Sequence, residues 1–396
     1  MSAMKRLLQL MAEKNASDIY LSVGAPINIK ISGNAVPVNQ TILNSDAVRQ
    51  LLYEILTEKQ VRQFEDEWEL NTGYIFEGVG NYRISAFQQK GTPAIVVRYI
   101  PSVIPPIDTL DLPEALKGII MRKRGLVLVV GATGSGKTTS IAAMLDHRNS
   151  EKSGHILTLE DPIEFVFKSK KSIVNQREVG TDTKVFQTAL KNALRQAPDC
   201  ILIGEIRDRE TMTSSLQYAQ SGHLCLATLH ANNSYHALNR IISFYPLENR
   251  PTLLLDMSAS LQSIISQRLV RTKIGTRKPA VEVMMNTRHI AELIEKGEVN
   301  EIKDAMEKSL VPGSQTFEQA LFKLFMDGHI TQDEAMANAD SSTNMLWLIN
   351  QATAGALTHG QAPASLEPPK KPERENRSVS RESETQFVDI KIDMTT

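Results

Sequence analysis

Lys137, Thr138 and Thr139 close the stretch GATGSGKTT that begins at Gly131, and this stretch meets every fixed position of G-x-x-x-x-G-K-[ST]. Backbone without side chains at Gly131, Gly134 and Gly136 can turn its N–H groups inward around Thr133 and Ser135 as a concave anion site. The Lys137 ammonium then reaches β- and γ-phosphates as a point charge, and the Thr138 hydroxyl offers an oxygen to Mg²⁺. The wholly apolar residues 126–130 predict a buried strand ahead of the loop, and the helix predicted after it aims its positive end at the same phosphates. ATP and Mg²⁺ are the expected ligands.

Further groups fall where a parallel sheet would deliver them to that loop. Glu160-Asp161-Pro162-Ile163-Glu164 ends an apolar run from His155, and a carboxylate there can polarise the attacking water or hold Mg²⁺. Taken in isolation, it also reads as a solvated acidic turn. Ile201-Leu202-Ile203-Gly204-Glu205 has the Walker B shape with Glu205 in place of the usual Asp, and the extra methylene suits a water-mediated grip on the metal. His223 and His230 bracket the apolar residues 224–229, with His230 expected on the active edge. No arginine adjoins the P-loop, so charge spreading over the γ-phosphate must be met from Arg83, Arg98 or Arg195, each of which alone reads as a surface residue.

The elements that position these groups follow from patterning. Residues 1–100 predict a small α+β domain: an amphipathic helix through Leu7, Leu8, Leu10 and Met11, then strands at 18–22 and 27–31 turning at Gly33-Asn34. A helix capped by Ser45 and strands at 81–87 and 94–100 complete it, with Arg83 and Arg98 on neighbouring strands. Pro101, Pro105 and Pro106 mark a stiff linker over 101–110. Residues 111–350 predict a RecA-like α/β core, its first helix capped by Asp111. After Pro246 the spacing of Leu261, Ile264, Ile265 and Leu269, and later of Ile290, Leu293 and Ile294, predicts a helical extension. Residues 351–396 turn to Pro, Ser, Glu, Lys and Arg and predict a disordered tail, whose alternating 387–392 could pair with a partner's sheet edge.

Composition narrows the classes. With 44 Lys+Arg against 45 Asp+Glu the net charge of -1 gives no general attraction to nucleic acid, which argues against a DNA-translocating ring and for no direct nucleic-acid partner. Two cysteines, Cys200 and Cys225, lie in apolar runs and read as core residues of a protein from a reducing, cytoplasmic setting. No apolar stretch approaches a membrane span, so membrane association is expected through partners.

GATGSGKT, ILTLEDPIEF, ILIGEIRDRET and GHLCLATLHANN, in that order, resemble the Walker A, Asp box, Walker B and His box of the type IV pilus retraction ATPases, the PilT/PilU family. The resemblance covers about residues 5–345. It implies a PAS-like N-terminal domain, a RecA-like domain and a homohexameric ring with ATP at its interfaces. It also implies Glu164 as the catalytic glutamate, indirect Mg²⁺ coordination by Glu205, phosphate contacts from Arg83 and Arg98, and a further site arginine at Arg195. Residues 287–295 keep a helical period without the AIRNLIRE motif of the PilT branch, which makes the chain most similar to the PilU branch. That branch implies an accessory to a PilT-like motor, acting on a PilC-like inner-membrane platform to retract pili in twitching motility. The alternative is a nucleotide-binding scaffold ring with little hydrolysis of its own. No CxxC pair matches the zinc site of the assembly motor PilB.

Overall fold

The computed structural model describes residues 2–31, 33–100 and 103–358, which form two compact units divided between Val103 and Ile104. The first unit holds β1 (Asp18–Ser22), β2 (Asn28–Ile31), β3 (Asn34–Pro37), β4 (Glu69–Phe76), β5 (Gly80–Gln89) and β6 (Thr92–Ile100). They pair antiparallel throughout in the order β3-β2-β1-β6-β5-β4. Helix Ala3–Glu13 buries Met4, Leu7, Leu8 and Met11 against this sheet, and the Tyr82 hydroxyl ties it down by donating to the Leu8 carbonyl at 2.6 Å. β5 alternates buried and partly exposed positions, as a strand with one covered face must. β3 and β4 are strands that patterning did not reveal. The helix Ser45–Tyr53 is capped by Asn44, whose side chain accepts from the Ala47 N–H, so Ser45 is the first helical residue and not the cap.

The second unit is built on β7 (Gly125–Val130), β8 (Gly154–Glu160), β9 (Ser172–Glu178), β10 (Cys200–Ile203), β11 (Leu224–Leu229), β12 (Leu261–Arg271) and β13 (Arg277–Met285). Their order is β13-β12-β7-β11-β10-β8-β9, parallel except where β13 returns antiparallel along β12. Leu126, Leu128 and Val130 of β7 enter one core and Val127 and Val129 the other, so both faces of the strand are covered and its sequence is apolar at every position. Cys200 and Cys225 are buried free thiols within these strands, as expected.

Two expectations are corrected here. Residues 261–271 are a strand, not a helix; their i, i+3, i+4, i+8 apolar spacing is that of an inner strand carrying buried polar groups between its apolar ones. Asp111 does not cap a helix: it adopts a left-handed backbone at φ 52, its carboxylate holds Lys278 Nζ at 2.5 Å, and the next helix runs Ala115–Ile120. After Pro246 the chain is helical as expected over Arg250–Ser260, is interrupted by β12 and β13, and resumes with Arg288–Lys296, Ile302–Glu307, Phe317–Met326, Gln332–Asn338 and Ser342–Thr358. Thr287 caps Arg288–Lys296 and Thr316, in a capping box with Gln319, caps Phe317–Met326. The expected tail overlaps the last helix up to Thr358 and otherwise lies outside the described residues, as does 387–392.

Candidate ATPase site

β7, β11, β10 and β8 are parallel neighbours, so the segments that follow them emerge at one edge of the sheet. These segments are the P-loop, His230, Glu205 and the loop carrying Glu164. Crevices at the carboxyl ends of such strands are where open α/β sheets take ligands.

Helix Lys137–Glu151 starts directly from the P-loop. Gly131 at φ 151 and Gly136 at φ 89 adopt conformations that suit glycine. A Cβ on Gly131 would meet the Gln267 carbonyl oxygen at 2.5 Å, and one on Gly136 the Gln267 amide at 2.7 Å. Gln267, buried on β12, also accepts from the Ser140 hydroxyl at 2.8 Å, so a strand unrecognised in the sequence forms the floor of the P-loop.

Lys137 Nζ folds back on the Gly131 and Ala132 carbonyls at 2.8 and 2.9 Å. Burial lowers its pKa, and the Glu205 and Glu164 carboxylates oppose that shift, which puts both acids within electrostatic range of the lysine. The Ser135 hydroxyl is buried with no hydrogen-bond partner. An ammonium turned onto its own loop, an orphaned hydroxyl and a helix N-terminus fit a polyphosphate. Thr133, Thr138 and Thr139 leave their hydroxyl-bearing side chains at least partly accessible in the same loop and first helical turn.

Glu205 follows β10 through Gly204, at which a Cβ would stand 3.0 Å from the Leu159 carbonyl oxygen. The Gly204 N–H donates to that carbonyl at 2.8 Å, and its own carbonyl accepts from the Thr228 hydroxyl, so the ends of β8, β10 and β11 are laced together. The Glu205 carboxylate receives Arg207 Nε at 2.7 Å and His230 Nε2 at 3.5 Å. Arg207 also lies 3.6 Å from Asp161 in the Asp box. Its contact with Glu205 was not anticipated; the charged run Glu205-Ile206-Arg207-Asp208 was the only signal.

Glu160, the first acid of that box, is buried, and burial pushes its pKa up to about 7 against hydrogen bonds from Thr158 and Gln176. Glu164, four residues on, is partly exposed. His223 lies at the opposite end of β11 from His230, its Nδ1 within 3.3 Å of the Tyr218 carbonyl, and is separate from this edge.

Arg195 lies in a short 3-10 turn, Leu194–Gln196, ahead of β10, and is exposed; the chain enters β10 at the end opposite Glu205, so the described unit does not bring Arg195 to the P-loop edge. Arg83 and Arg98 belong to the first unit, directly opposite each other on β5 and β6. Arg98 Nε pairs with the buried Asp18 carboxylate at 3.0 Å.

Beside the P-loop, Gly136, Thr139, Leu269, Arg277, Leu110 and Leu112 help to line a cavity of about 230 Å³. Its lining mixes leucines with Thr109, Asp111, Thr139, Ser140, Gln267 and Arg277, which suits a ligand with both apolar and polar edges.

A nucleotide-binding edge of this kind occurs in many families, and the sequence decides among them. Residues 81–280 match the family model described as type II/IV secretion system protein. The chain belongs to that family. Within it, the chain is 45% identical to the type IV pilus ATPase PilU of Pseudomonas aeruginosa over 356 residues, 90% of this chain and 93% of that protein. It is 40% identical to the type IV pilus retraction ATPase PilT of the same organism, over 85% of this chain and 98% of that one. A crystal structure of the pilus retraction motor PilT with bound ADP superposes with a TM-score of 0.81 at 38% identity, over 87% of this chain and 98% of that one. This family member is therefore a PilT/PilU-like retraction ATPase with a RecA-like core.

Proposed function

We propose that the chain is a Mg²⁺-dependent, homohexameric ATPase that assists type IV pilus retraction as a PilU-like partner of a PilT-like motor. The observation that carries the catalytic part is the convergence of the P-loop, Glu205, His230 and the Glu164 loop on one sheet edge. The accessory part rests on likeness to PilU.

In this reading the P-loop amides and Lys137 bind the β- and γ-phosphates, and the 230 Å³ cavity beside Thr139 takes the nucleoside. Thr138 and Glu205 offer the hydroxyl and carboxylate oxygens that Mg²⁺ prefers, and the ion would neutralise charge on the phosphates. Glu164 orients a water and accepts its proton as the oxygen attacks the γ-phosphorus and the bond to ADP breaks. His230, 3.5 Å from Glu205, is assigned to the hydrolytic machinery of the same edge. Arg83 and Arg98 are assigned to the charge developing on the γ-phosphate, a role worth about 10³–10⁵ in rate when an arginine fills it. Arg195 would join the site only from a neighbouring copy. The N-terminal unit is assigned a PAS-like role in ring closure.

Among the described residues no helix is long and apolar enough to cross a membrane. Attachment at the inner membrane is therefore assigned to a PilC-like platform protein, and the work to withdrawal of pilin from the fibre.

ATP turnover across a protein-concentration series tests this, with Glu164→Gln as control and with a PilT-like ATPase added. The expected result is turnover that rises with assembly and vanishes in the variant. Binding of ATP with turnover no higher than the variant's, with and without the partner, would replace the motor by a scaffold ring.

A further inference from the structure

The loop that carries Glu164 has no regular secondary structure, yet three of its backbone groups are held by side chains of the strand beside it. The Glu178 carboxylate accepts the Ile163 N–H at 3.0 Å. The Glu164 backbone also faces the Glu160 carboxylate and opposes the upward push of burial on its pKa. Gln176 donates to the Phe165 carbonyl at 2.8 Å and accepts the Phe167 N–H at 2.8 Å, a two-point grip from one amide. Its Nε2 also reaches Glu160 at 3.2 Å, which links the two holds.

The holders are themselves fixed. Glu178 is buried; its second oxygen accepts from the Thr181 hydroxyl at 2.9 Å, and its N–H donates to the Asp182 carboxylate at 2.9 Å. Gln176 and Glu178 are two apart on β9 and so face the same side, towards the loop. A loop free to wander would spread the Glu164 carboxylate over several ångströms, and misplacing a catalytic group by about 1 Å can cost about 100-fold in rate.

We infer that Gln176 and Glu178 of β9 are positioning residues for hydrolysis, which act by fixing the backbone on either side of Glu164. The inference rests on the proposed role of Glu164. The hydrogen bonds of both side chains go to the Glu164 loop, Glu160 and Thr181 and not to the P-loop, so the inference assigns nucleotide affinity elsewhere.

The test uses the full-length protein and measures kcat, KM for ATP and ADP affinity for Gln176→Met, Gln176→Glu, Glu178→Ala and Glu178→Gln. Gln176→Met and Glu178→Ala should each lower kcat by about 10- to 100-fold with KM and ADP affinity within about twofold of the parent. Glu178→Gln keeps an oxygen for the Ile163 N–H and should recover kcat to within about threefold. If Gln176→Met fails to fold, the near-isosteric Gln176→Glu, which cannot donate to Phe165, decides in its place and should show the same selective fall. Added to Glu164→Gln, none of these should lower the residual rate further, because residues acting through one group are not additive. Parent-like kcat in the folded clamp variants, an equal loss of ADP affinity, or a further fall in the Glu164→Gln background overturns the inference. Glu164→Gln alone keeps the two readings distinct. If it turns over normally, the catalytic assignment falls and the inference with it; if it is inactive while the clamp variants are parent-like, only the inference falls.

Discussion

Arg207 Nε lies 2.7 Å from Glu205 Oε2, so the acid assigned to the metal has a cation of the protein itself as a competing partner. The pair is partly exposed, which limits it to roughly 1 kcal/mol or less. Arg207→Gln should release Glu205 and lower the Mg²⁺ concentration for half-maximal turnover by up to about fivefold. A Mg²⁺ titration of ATPase rate checks this; an unchanged midpoint means that Arg207 does not compete with the ion.

Gly204→Ala places a Cβ 3.0 Å from the Leu159 carbonyl and 3.3 Å from Glu160 Cα, both backbone atoms that cannot swing aside. The ends of β8 and β10 would have to part, at a cost of about 1–3 kcal/mol. Thermal melting should show the loss, and kcat should fall more than ADP affinity because Glu205 moves with the strand end.

Arg268 forms a partly buried ion pair with Asp340, which also accepts from Asn233 Nδ2 at 2.8 Å, while Arg268 stacks 3.9 Å over the Phe317 ring. Removing one partner leaves a charge without its counterpart. Asp340→Ala should therefore cost about 1–3 kcal/mol, between the exposed and the fully buried case, and Arg268→Met combined with Asp340→Leu should regain much of it. Denaturant unfolding of the parent and the two variants measures both effects.

Glu282 is buried on β13, where it accepts from the Ser234 N–H at 2.8 Å and the Ser266 hydroxyl at 2.9 Å. Burial raises its pKa from 4.5 to about 7, with Asp340 adding to the rise. A folded state with the raised pKa holds the proton more tightly than the unfolded chain. The stability it contributes is therefore full below the unfolded pKa and is lost as pH rises through about 7, at up to about 1.4 kcal/mol per pH unit. Glu282→Gln should flatten the dependence of Tm on pH across that window; a slope equal to the parent's would remove Glu282 as its source.

Arg98 carries two assignments that one substitution cannot separate, since it neutralises the buried Asp18 as well as being a candidate for the phosphates. Asp18→Asn removes the local partner and leaves the guanidinium. Turnover lost in Arg98→Ala but kept in Asp18→Asn would assign the loss to the phosphates. Equal losses would assign it to the fold of the N-terminal unit.

The parallel core was legible because β7, β10 and β11 are covered on both faces and so are apolar but for Thr228 of β11, with a glycine, an acid or a histidine following each. β12 was not, although it is just as deep. Its Ser266 and Gln267 are polar because one holds Glu282 and the other supports the P-loop, and interleaving them with Ile264, Ile265 and Leu269 imitates a helical period. β9 was missed for the same reason, with Gln176 and Glu178 spent on the loop opposite. Cap positions went wrong by small steps: Asn44 and Ser45 are adjacent good caps, and only the backbone decides between them. Arg207 was unreadable because a charge two residues from another is ordinarily solvated.

β9 is the last strand of its sheet, beyond β8, and it is the strand from which Gln176 and Glu178 reach the loop. With Glu164 and its two holders acting as proposed, hydrolysis would hang from a margin instead of from the well-buttressed centre that carries the P-loop. Mechanical strain that bends the margin would then change the aim of Glu164 and leave the grip on nucleotide intact. An opposing load would in this way stall the chemical step without ejecting its fuel.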